Sequence, residues 1–206
     1  SSAASDVYKR QSQQCGPGNN SDGGWQPYRA PAGGVLAACD VSSSSTYAGA
    51  DANSTAFAIQ ALVVSGHTST FANALWWLQA QQASAPSGGG GFGQYIGDDA
   101  DPNSTALVMQ ALVAMGDDPL AGRWTQATVT TLQSLASWII RGGSEDGGVS
   151  SPYSGGYSDF FAAYEAVWGL AMQPFPLIPV QVIEPPSTTT STASVGVAVV
   201  APAFTG

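Results

Sequence analysis

Two stretches of the chain, "DANSTAFAIQALV" at Asp51–Val63 and "DPNSTALVMQALV" at Asp101–Val113, repeat nearly the same residues about fifty positions apart. A third and looser copy, "DFFAAYEAVWGLAM", begins at Asp159. A leucine follows each leading aspartate eleven positions later: Leu62, Leu112 and Leu170. Self-similarity at a regular interval is typical of proteins built from stacked supersecondary units. The sequence therefore predicts three copies of one structural unit.

Each copy opens with a glycine turn that carries an aromatic or apolar residue. The three turns are "DGGW" at Asp22–Trp25, "GGFG" at Gly90–Gly93 and "DGGV" at Asp146–Val149. A tyrosine lies near each turn: Tyr28, Tyr95, and either Tyr153 or Tyr157. The aspartate-led helix comes next, and a second helix of different composition follows it. Each unit is thus predicted to be a turn and a pair of helices.

The first residues of the aspartate-led helices predict N-caps. Side-chain oxygens of Asp, Asn, Ser and Thr accept hydrogen bonds from the free N–H groups of a first helical turn. Gly66 and Gly116 are predicted to end the first two of these helices. The predicted capping residues are Asp51, Asn53, Asp101, Asn103 and Asp159.

The aspartate-led helices are almost wholly apolar. Between Ala56 and Val64, and between Ala106 and Met115, the only polar residues are Gln60 and Gln110. A helix that is apolar all round is expected to be buried all round. We therefore expect these helices to form an inner layer.

The helices between them are amphipathic and predict an outer layer. "FANALWWLQAQQ" places apolar residues on one stripe, namely Phe71, Leu75 and Leu78, and polar residues elsewhere, namely Asn73, Gln79 and Gln82. "TQATVTTLQSLASWII" is likewise expected to be helical, with a stripe of Val129, Leu132, Leu135 or Ala136, and Ile139. Buried helices that alternate with amphipathic ones indicate two concentric layers.

Composition narrows the functional classes. Only 9% of residues are charged and the net charge is −9, which suits a protein outside the cell. With five basic residues in all, no basic patch is available for nucleic acid. No apolar run reaches the length of a transmembrane helix. The single histidine, His67, rules out an ordinary Cys/His zinc site and is expected in a surface turn.

Two cysteines, Cys15 and Cys39, flank the first glycine turn. In an exported chain the simplest expectation is a disulfide between them. Two unrelated thiols are the alternative.

Both ends of the chain differ from the repeats. "DVYKRQ" at Asp6–Gln11 is the in-frame translation of a transposase adapter, so residues 1–11 are expected to come from a sequencing library, with natural N-terminal sequence missing. Residues 12–174 are expected to form the repeat domain. The Pro/Ser/Thr-rich residues 175–206 predict a linker. Within it, Ser194–Phe204 is expected to form one strand, which either starts another domain or joins a partner's sheet.

The pattern "ALWWLQAQQ…GGGGFGQY…DADPNSTALVMQAL" resembles the repeat of squalene cyclases, protein prenyltransferases and transcobalamin-type proteins. "LQAQQ…GGFG", at Leu78–Gln82 and Gly90–Gly93, is similar to the QW motif of the cyclases, with Phe92 in place of tryptophan. The resemblance covers about Gly23–Pro174. It implies an all-α fold, an α/α toroid in which six helix pairs surround a cavity. About three pairs are present, so a half ring with exposed apolar helices and self-association is expected.

The resemblance also implies chemistry that the residues do not match. A cyclase needs an acidic DxDD motif, whereas Asp98–Asp101 reads "DDAD", and Pro102 follows it. A solvated turn and helix cap is the expectation for this stretch. The zinc ligands of the prenyltransferases and the "CGEQ" thioester of complement-type toroids have no counterpart.

One set of oxygen ligands is spaced as in a calcium loop: Asp99, Asp101 and Asn103. The glycine at loop position six and the closing glutamate of such a loop are missing. Calcium is therefore the weaker interpretation, and helix capping by Asp101 and Asn103 is the alternative. No other cofactor is expected.

A few polar and aromatic residues are candidates for contact with a ligand in a central cavity. Gln60 and Gln110 are lone polar residues in apolar helices, and Glu165 is an acid in a third. A buried acid is costly unless it is paired or protonated. Hydrogen bonds between helices are the alternative role for the glutamines, and packing is the alternative for the aromatic residues. For Glu165 the alternatives are a hydrogen bond between helices and exposure at the open edge of the half ring. The candidate ligand-binding residues are Gln60, Gln110, Glu165, Trp168, Tyr95 and Tyr157.

These features favour a non-catalytic binding module, secreted or at the cell surface, whose ligand is a small molecule, a glycan or a protein. The resemblance to transcobalamin implies a toroid that holds a ligand without converting it. Two alternatives stay open. One is a terpene- or squalene-cyclase-like enzyme whose acid motif lies upstream, and the other is a surface-array or filament subunit that assembles through its C-terminal segment.

Overall fold

A computed structural model of the chain describes residues 13–29, 31–32, 35–66, 71–83 and 89–175. The predictions for residues 1–11, for His67 and for residues 176–206 lie outside these segments. None of the helices in the described part has the length and apolar character of a membrane span.

The regular secondary structure of the described residues is mostly helical, which is compatible with the all-α prediction. The α-helices are α1 (Ala52–Val64), α2 (Phe71–Gln81), α3 (Pro102–Ala114), α4 (Thr131–Ser137) and α5 (Phe160–Leu170). A short 3₁₀ helix spans Gly122–Trp124. Two antiparallel ribbons have two-residue strands: β1 (Pro31–Ala32) with β2 (Val35–Leu36), and β3 (Thr125–Gln126) with β4 (Val129–Thr130).

The three aspartate-led helices, α1, α3 and α5, lie side by side in chain order. α3 is central and packs against α1 on one side and α5 on the other. The intervening helices cover them, α2 against α1 and α4 against both α3 and α5. One hydrophobic cluster joins α1, α2 and α3, and a second joins α3, α4 and α5. The described part thus has an inner series of three helices with outer helices on it.

The glycine turns fold the same way in all three copies. Each is a small hairpin closed by backbone hydrogen bonds, from Cys15 N to Gly24 O, Ala83 N to Gly91 O, and Ile140 N to Gly148 O. The hairpins end at Trp25, Phe92 and Val149. Their carbonyl oxygens accept hydrogen bonds from the backbone N–H groups of the capping aspartates, Asp51, Asp101 and Asp159 respectively. The hairpin and the following inner helix are therefore one repeated unit.

Each of the two glycines inside the second hairpin, Gly90 and Gly91, is required for a different reason. Gly90 has φ +85°, in the left-handed region that glycine adopts without strain. A Cβ on Gly91 would lie 2.8 Å from the Ala100 Cβ and would also clash with Ser134, so no side chain fits there. The first glycine provides the turn and the second allows the hairpin to contact the helices.

The N-cap prediction is confirmed for the three aspartates. Asp51 and Asp101 each accept hydrogen bonds of 2.8 Å from the backbone N–H and the hydroxyl of a serine three residues later. Asp159 accepts from two backbone N–H groups and from the hydroxyl of Ser151. Ser151, from the preceding loop, thus replaces the serine that the third helix lacks.

The capping role predicted for Asn53 and Asn103 is wrong. Both lie inside their helices, two positions after the true cap. The aspartate already occupies the cap position in each case, so the asparagine side chains are free to point elsewhere.

The helix ends confirm Gly66 and Gly116 as stop residues. Both have positive φ, +73° and +76°. Each glycine lies two residues after the end of its helix, and in the third copy Met172 has that place, with φ +51°. An L-residue in this region is strained by its Cβ, so the third end carries a small conformational cost.

The expectation that the inner helices are buried all round holds for α3 only. Between Ser104 and Leu112 every residue of α3 is buried. In α1, Phe57 is 50% exposed, and in α5 the residues Phe161 and Tyr164 are 71% and 54% exposed. The difference follows from position, because α3 has an inner helix on each side whereas α1 and α5 have one.

The predicted second outer helix is too long. α4 begins at Thr131, and Val129 belongs to β4 instead. Ile139 pairs with Val149 in the third hairpin. A tight turn causes the difference, since Ala127 and Thr128 both adopt positive φ, which neither residue type signals.

The prediction for α2 is partly right. Phe71 and Leu78 are buried, and Leu75 is half-buried. Gln82, placed on the polar side by the pattern, is buried and donates to the carbonyls of Gly90 and Trp124, both at 2.8 Å.

The predicted disulfide is present between Cys15 and Cys39. It ties the first hairpin to the long loop between Trp25 and Asp51. No free cysteine occurs in the described residues.

Candidate functional site

A cleft of about 620 Å³ lies where the three inner helices begin. α1 contributes Asn53, α3 contributes Asn103 and Ser104, and α5 contributes Phe161 and Glu165. The first turns of all three helices meet there, so the inner helices run parallel from this end. The loops that precede the helices complete the wall with Ser44, Tyr47, Gln94, Tyr95, Asp98, Asp99, Asp101, Pro152 and Tyr153.

The repeat itself places the polar side chains of the first turns at the cleft. Asn53 and Asn103 hold the same position, two residues after the capping aspartate. Because the aspartates satisfy the helix N–H groups, these amides are available for other contacts. The Asn53 Oδ1 is buried and has no hydrogen-bond partner.

Aromatic rings form one wall. Tyr95 is buried, and its ring meets that of Tyr47 edge-on, with 6.4 Å between centroids and 73° between planes. Tyr153 and Phe161 stand largely free, at 94% and 71% exposed. Exposed ring faces beside a cleft are suited to stacking on an apolar or cationic part of a ligand.

The other wall is acidic, with Asp98, Asp99, Asp101 and Glu165, and none of the described residues that line the cleft is a Lys, Arg or His. Burial raises the pKa of Asp101 above its ordinary value of 3.8, while the bonds from Ser104 and the backbone act in the opposite direction. The charge of Asp98 raises the Asp101 pKa further. Burial similarly raises the pKa of Asp51.

Glu165 faces this acidic wall from the third helix. Its pKa is raised, chiefly by burial, and the negative charges of Asp101 and Asp159 act in the same direction. Asn103 donates a hydrogen bond to its carboxyl group and lowers the pKa in part. The contact between Asn103 and Glu165 joins α3 to α5 at the floor of the cleft.

Tyr95 connects the aromatic and acidic walls. Burial raises the pKa of its hydroxyl, and the nearby charges of Asp51 and Asp98 add to the effect. Its backbone N–H donates to the Asp98 carboxylate at 3.1 Å. The hydroxyl therefore stays protonated at neutral pH and is available as a hydrogen-bond donor.

Of the six ligand-binding residues predicted from the sequence, only two line the cleft, Tyr95 and Glu165. Tyr157 is 69% exposed on the neighbouring loop. Gln60, Gln110 and Trp168 lie further along the inner helices, seven residues beyond the positions that reach the cleft. Gln60 and Trp168 both contact Phe175, and Gln110 holds the same repeat position on the helix between them.

The alternative role for the glutamines, hydrogen bonds between helices, is wrong for Gln110. It is fully buried, and neither its Nε2 nor its Oε1 has a partner. Gln60 is 2% exposed and accepts from the backbone N–H of Phe175 at 2.6 Å, a bond to the chain after α5.

The predicted calcium ligands Asp99, Asp101 and Asn103 all line the cleft. Both carboxylate oxygens of Asp101 accept from Ser104, and Asn103 bonds to Glu165. In the part of the chain that the structure describes, no three His, Cys, Asp or Glu side chains are grouped to hold a metal. Calcium binding stays a prediction without geometric support.

Sequence reasoning missed several residues of the cleft, above all Tyr47, Tyr153 and Phe161. Tyr47 comes from the long loop of the first copy, which the other copies lack, and no repeat pattern points to it. Phe161 occupies the position of Asn53 and Asn103, and that alignment was the available signal.

No family model matches the chain, and neither the curated proteins nor the solved structures contain a significant match.

Proposed function

We propose that the chain is a non-catalytic binding module built on an arc of an α/α toroid, with its ligand site in the cleft at the start of the inner helices. The parallel inner series of α1, α3 and α5, covered by α2 and α4, supports the toroid interpretation. The cleft would then be the mouth of the central cavity, on the axis of the ring.

The observation that carries the proposal is the composition of this cleft. Four carboxyl groups, three amides and four aromatic rings surround about 620 Å³, a volume typical of small-molecule sites. No basic side chain is among its described lining residues, so an anionic ligand would meet negative charge that these residues do not oppose. The ligand is therefore neutral and rich in hydroxyl groups, as a glycan is, or cationic.

The two walls have different roles in this proposal. The exposed rings of Tyr153 and Phe161 stack on the ligand. The Asn53 Oδ1, buried without a partner, accepts a hydrogen bond from it, and the Tyr95 hydroxyl donates one. Pairing a buried acceptor recovers a desolvation cost of about 1–3 kcal/mol, which contributes to affinity.

The structure gives less support to a cyclase-like enzyme. Asp101, the last residue of "DDAD", uses both oxygens to bond Ser104 and to cap α3. A carboxyl group held in this way is not directed at a substrate, and burial raises its pKa instead of making it a stronger acid.

A location outside the cell is part of the same proposal. It is supported by the disulfide between Cys15 and Cys39, a bond that persists in oxidising compartments.

The test is a binding screen with the full chain and three groups of probes. Cellohexaose and chitohexaose represent neutral glycans, choline and spermidine represent cations, and citrate represents anions. We expect binding of a neutral or cationic probe, detected by calorimetry, and none of citrate. Tyr153→Ala should weaken that binding about tenfold, since one stacked ring contributes about 1–2 kcal/mol.

Tyr157→Ala is the matched control, because Tyr157 lies in the same loop, is similarly exposed and does not line the cleft. Binding that Tyr157→Ala weakens and Tyr153→Ala leaves unchanged would place the site elsewhere. Chemical conversion of a bound probe would contradict the non-catalytic assignment.

A further inference from the structure

Gln60, Gln110 and Trp168 hold the same position in their repeats, nine residues after the capping aspartate. Seven residues separate this position from that of Asn53, Asn103 and Phe161, which line the cleft. Two helical turns take about seven residues, so both positions are on the same face of each helix. The two glutamines and the tryptophan therefore form a row across the inner face, which we call the glutamine row.

This row carries polar atoms that have no hydrogen-bond partner in the described part of the chain. Three amide atoms are buried without a partner: Gln60 Nε2, Gln110 Nε2 and Gln110 Oε1. An unpaired buried polar atom has lost its bonds to water without replacement, and such groups are therefore rare in native proteins. Two glutamines with such atoms lie on neighbouring helices at the same repeat position, which indicates a row that is built to bind polar groups.

A short piece of the chain already lies on the row. After α5 the backbone turns at Met172, and the Gln173 N–H bonds to the Trp168 carbonyl at 3.0 Å. The Phe175 N–H then donates to Gln60 Oε1 at 2.6 Å, across to the first inner helix. The Phe175 ring packs against Trp168, with 6.0 Å between centroids and 59° between planes.

The contact is of the kind that proteins use to bind peptides. A glutamine amide offers one acceptor and two donor hydrogens, which match the N–H and C=O groups of a main chain. The segment is favourable for this role, because prolines follow both Gln173 and Phe175 and restrict the residue before them to extended conformations. An extended backbone leaves its polar groups free to pair with side-chain amides.

We propose that the glutamine row is a second binding site, for an extended polypeptide with an aromatic side chain, and that Gln173–Phe175 is its resident ligand. Gln60 binds a main-chain N–H group and Trp168 binds the aromatic ring, whereas the resident segment leaves the Gln110 amide unpaired. The site is separate from the cleft, and the proposal does not depend on the function assigned to the cleft.

The first test displaces the resident segment in the full chain. Phe175→Ala removes the anchoring ring, and the probe is a fluorescent, C-terminally amidated peptide, "AMQPF", which copies Ala171–Phe175. A tethered ligand competes at an effective concentration in the millimolar range. We therefore expect the variant to bind the peptide at least about tenfold more tightly than the unaltered chain.

The peptide "AMQPA" is the control and should not bind. Adding Gln60→Met to Phe175→Ala should weaken binding of "AMQPF" about tenfold, because one amide–backbone bond is lost. Absence of binding to Phe175→Ala, or affinity that Gln60→Met does not change, would overturn the proposal.

The second test needs no peptide and no tail variant. Hydrogen exchange at the Phe175 amide should be slow in the unaltered chain and about tenfold faster in Gln60→Met. The Phe92 amide, which bonds to Thr105 at 2.9 Å, is the internal control and should not change. A Phe175 amide that exchanges at the rate of an unfolded peptide in the unaltered chain would show that the segment does not occupy the row.

Discussion

The second and third inner helices have the same start but different surroundings. Both begin with a capping aspartate, follow the same hairpin and carry the aligned leucine. α3 is buried over most of its length, whereas α5 buries only Ala162, Ala166 and Gly169. The cap and the hairpin therefore determine where each helix begins, and the neighbouring helices determine which of its faces are buried.

The contact between these two helices explains why their sequences differ. A Cβ on Gly169 would lie 2.8 Å from Ala106, so α5 approaches α3 through small residues on both sides. Tyr164 takes the place of Ala106 in the third copy and is 54% exposed. A further helix cannot approach α5 as closely as α5 approaches α3. Self-association through the apolar side chains of α5 stays a prediction.

Substitution of the second glycine in a hairpin is expected to give the largest difference in stability loss between the copies. Gly91→Ala places a methyl group against Ala100 and Ser134, which are both buried, and should cost about 3 kcal/mol of unfolding free energy. Gly148→Ala meets the exposed Ser158 side chain and, at 3.0 Å, the Glu145 backbone carbonyl; because Ser158 can move, the cost should be smaller, about 1 kcal/mol. Urea denaturation measures both. Equal losses would mean that the second and third hairpins are equally constrained.

A smaller difference is expected at the threonines that fix the hairpins to the helices. Thr105 Oγ1 accepts from the Phe92 N–H at 2.9 Å, and Thr55 does the same for Trp25. Thr105→Val keeps the shape but leaves a buried N–H unpaired, at a cost of about 2 kcal/mol. The third copy has Ala163 at this position.

The control for this prediction is Thr46→Val at an exposed position, which should leave the denaturation midpoint unchanged. If Thr105→Val is as harmless as Thr46→Val, the bond between hairpin and helix does not contribute to stability.

A glycine that ends an inner helix and a glycine elsewhere should differ by less in the stability lost on substitution by alanine. Gly116 has φ +76° and open space around its Cα, so Gly116→Ala adds backbone strain alone, about 1 kcal/mol. Gly122 also has open space and does not adopt a positive φ, and Gly122→Ala should be neutral or slightly stabilising. Thermal unfolding of the two variants separates strain from side-chain contacts, and a similar loss in both would contradict the strain argument.

The smallest effect is a dependence of stability on pH, and it has opposite signs in the two copies. The folded-state pKa of Asp101 is raised, so its contribution to stability is full below its ordinary value of 3.8 and is lost as the pH rises through the raised value. The folded-state pKa of Asp159 is lowered, chiefly by the Ser151 bond, so its contribution is present above 3.8 and is lost as the pH falls through the lowered value.

Asparagine keeps a capping oxygen without the charge, so the two variants isolate these effects. As the pH rises from 3 to 7, Asp101→Asn should gain stability relative to the unaltered chain, and Asp159→Asn should lose it. Denaturation midpoints across this range provide the measurement. Slopes of the same sign in both variants would contradict the pKa directions.

The elements that the sequence predicted best depend on contacts between close neighbours in the chain. The aspartate caps and the stops at Gly66 and Gly116 involve residues within one or two helical turns. The Cys15–Cys39 pair was predictable because no other cysteine competes. Local hydrogen bonding and simple counting were sufficient for these features.

Features that depend on distant neighbours were not predictable from a single copy. The exposure of Phe57 and Tyr164 depends on which helices lie beside α1 and α5. Gln82 reads as a surface residue, although it donates to the first glycine of its hairpin just as Gln14 donates to Gly23. Comparison of the copies offered that signal, since both glutamines precede their hairpins at matching positions.

The cleft was predicted in part, through Tyr95 and Glu165. Its remaining residues come from loops of unequal length, which no periodic pattern describes. Gln60, Gln110 and Trp168 were predicted as ligand-binding residues, and that role stays a prediction; the contact between Gln60 and Phe175 joins residues 115 positions apart and has no sequence signature.

The long loop of the first copy shows where this architecture accepts new material. The Asp51 N–H donates to the Trp25 carbonyl just as the Asp101 N–H donates to the Phe92 carbonyl, although far more residues lie between the members of the first pair. The added segment holds a ribbon, a disulfide cysteine and Tyr47, yet its ends are joined by the same backbone hydrogen bond. The junctions after Phe92 and Val149 are therefore natural points for grafting loops, and binding specificity at the cleft is open to redesign without alteration of the helices beneath it.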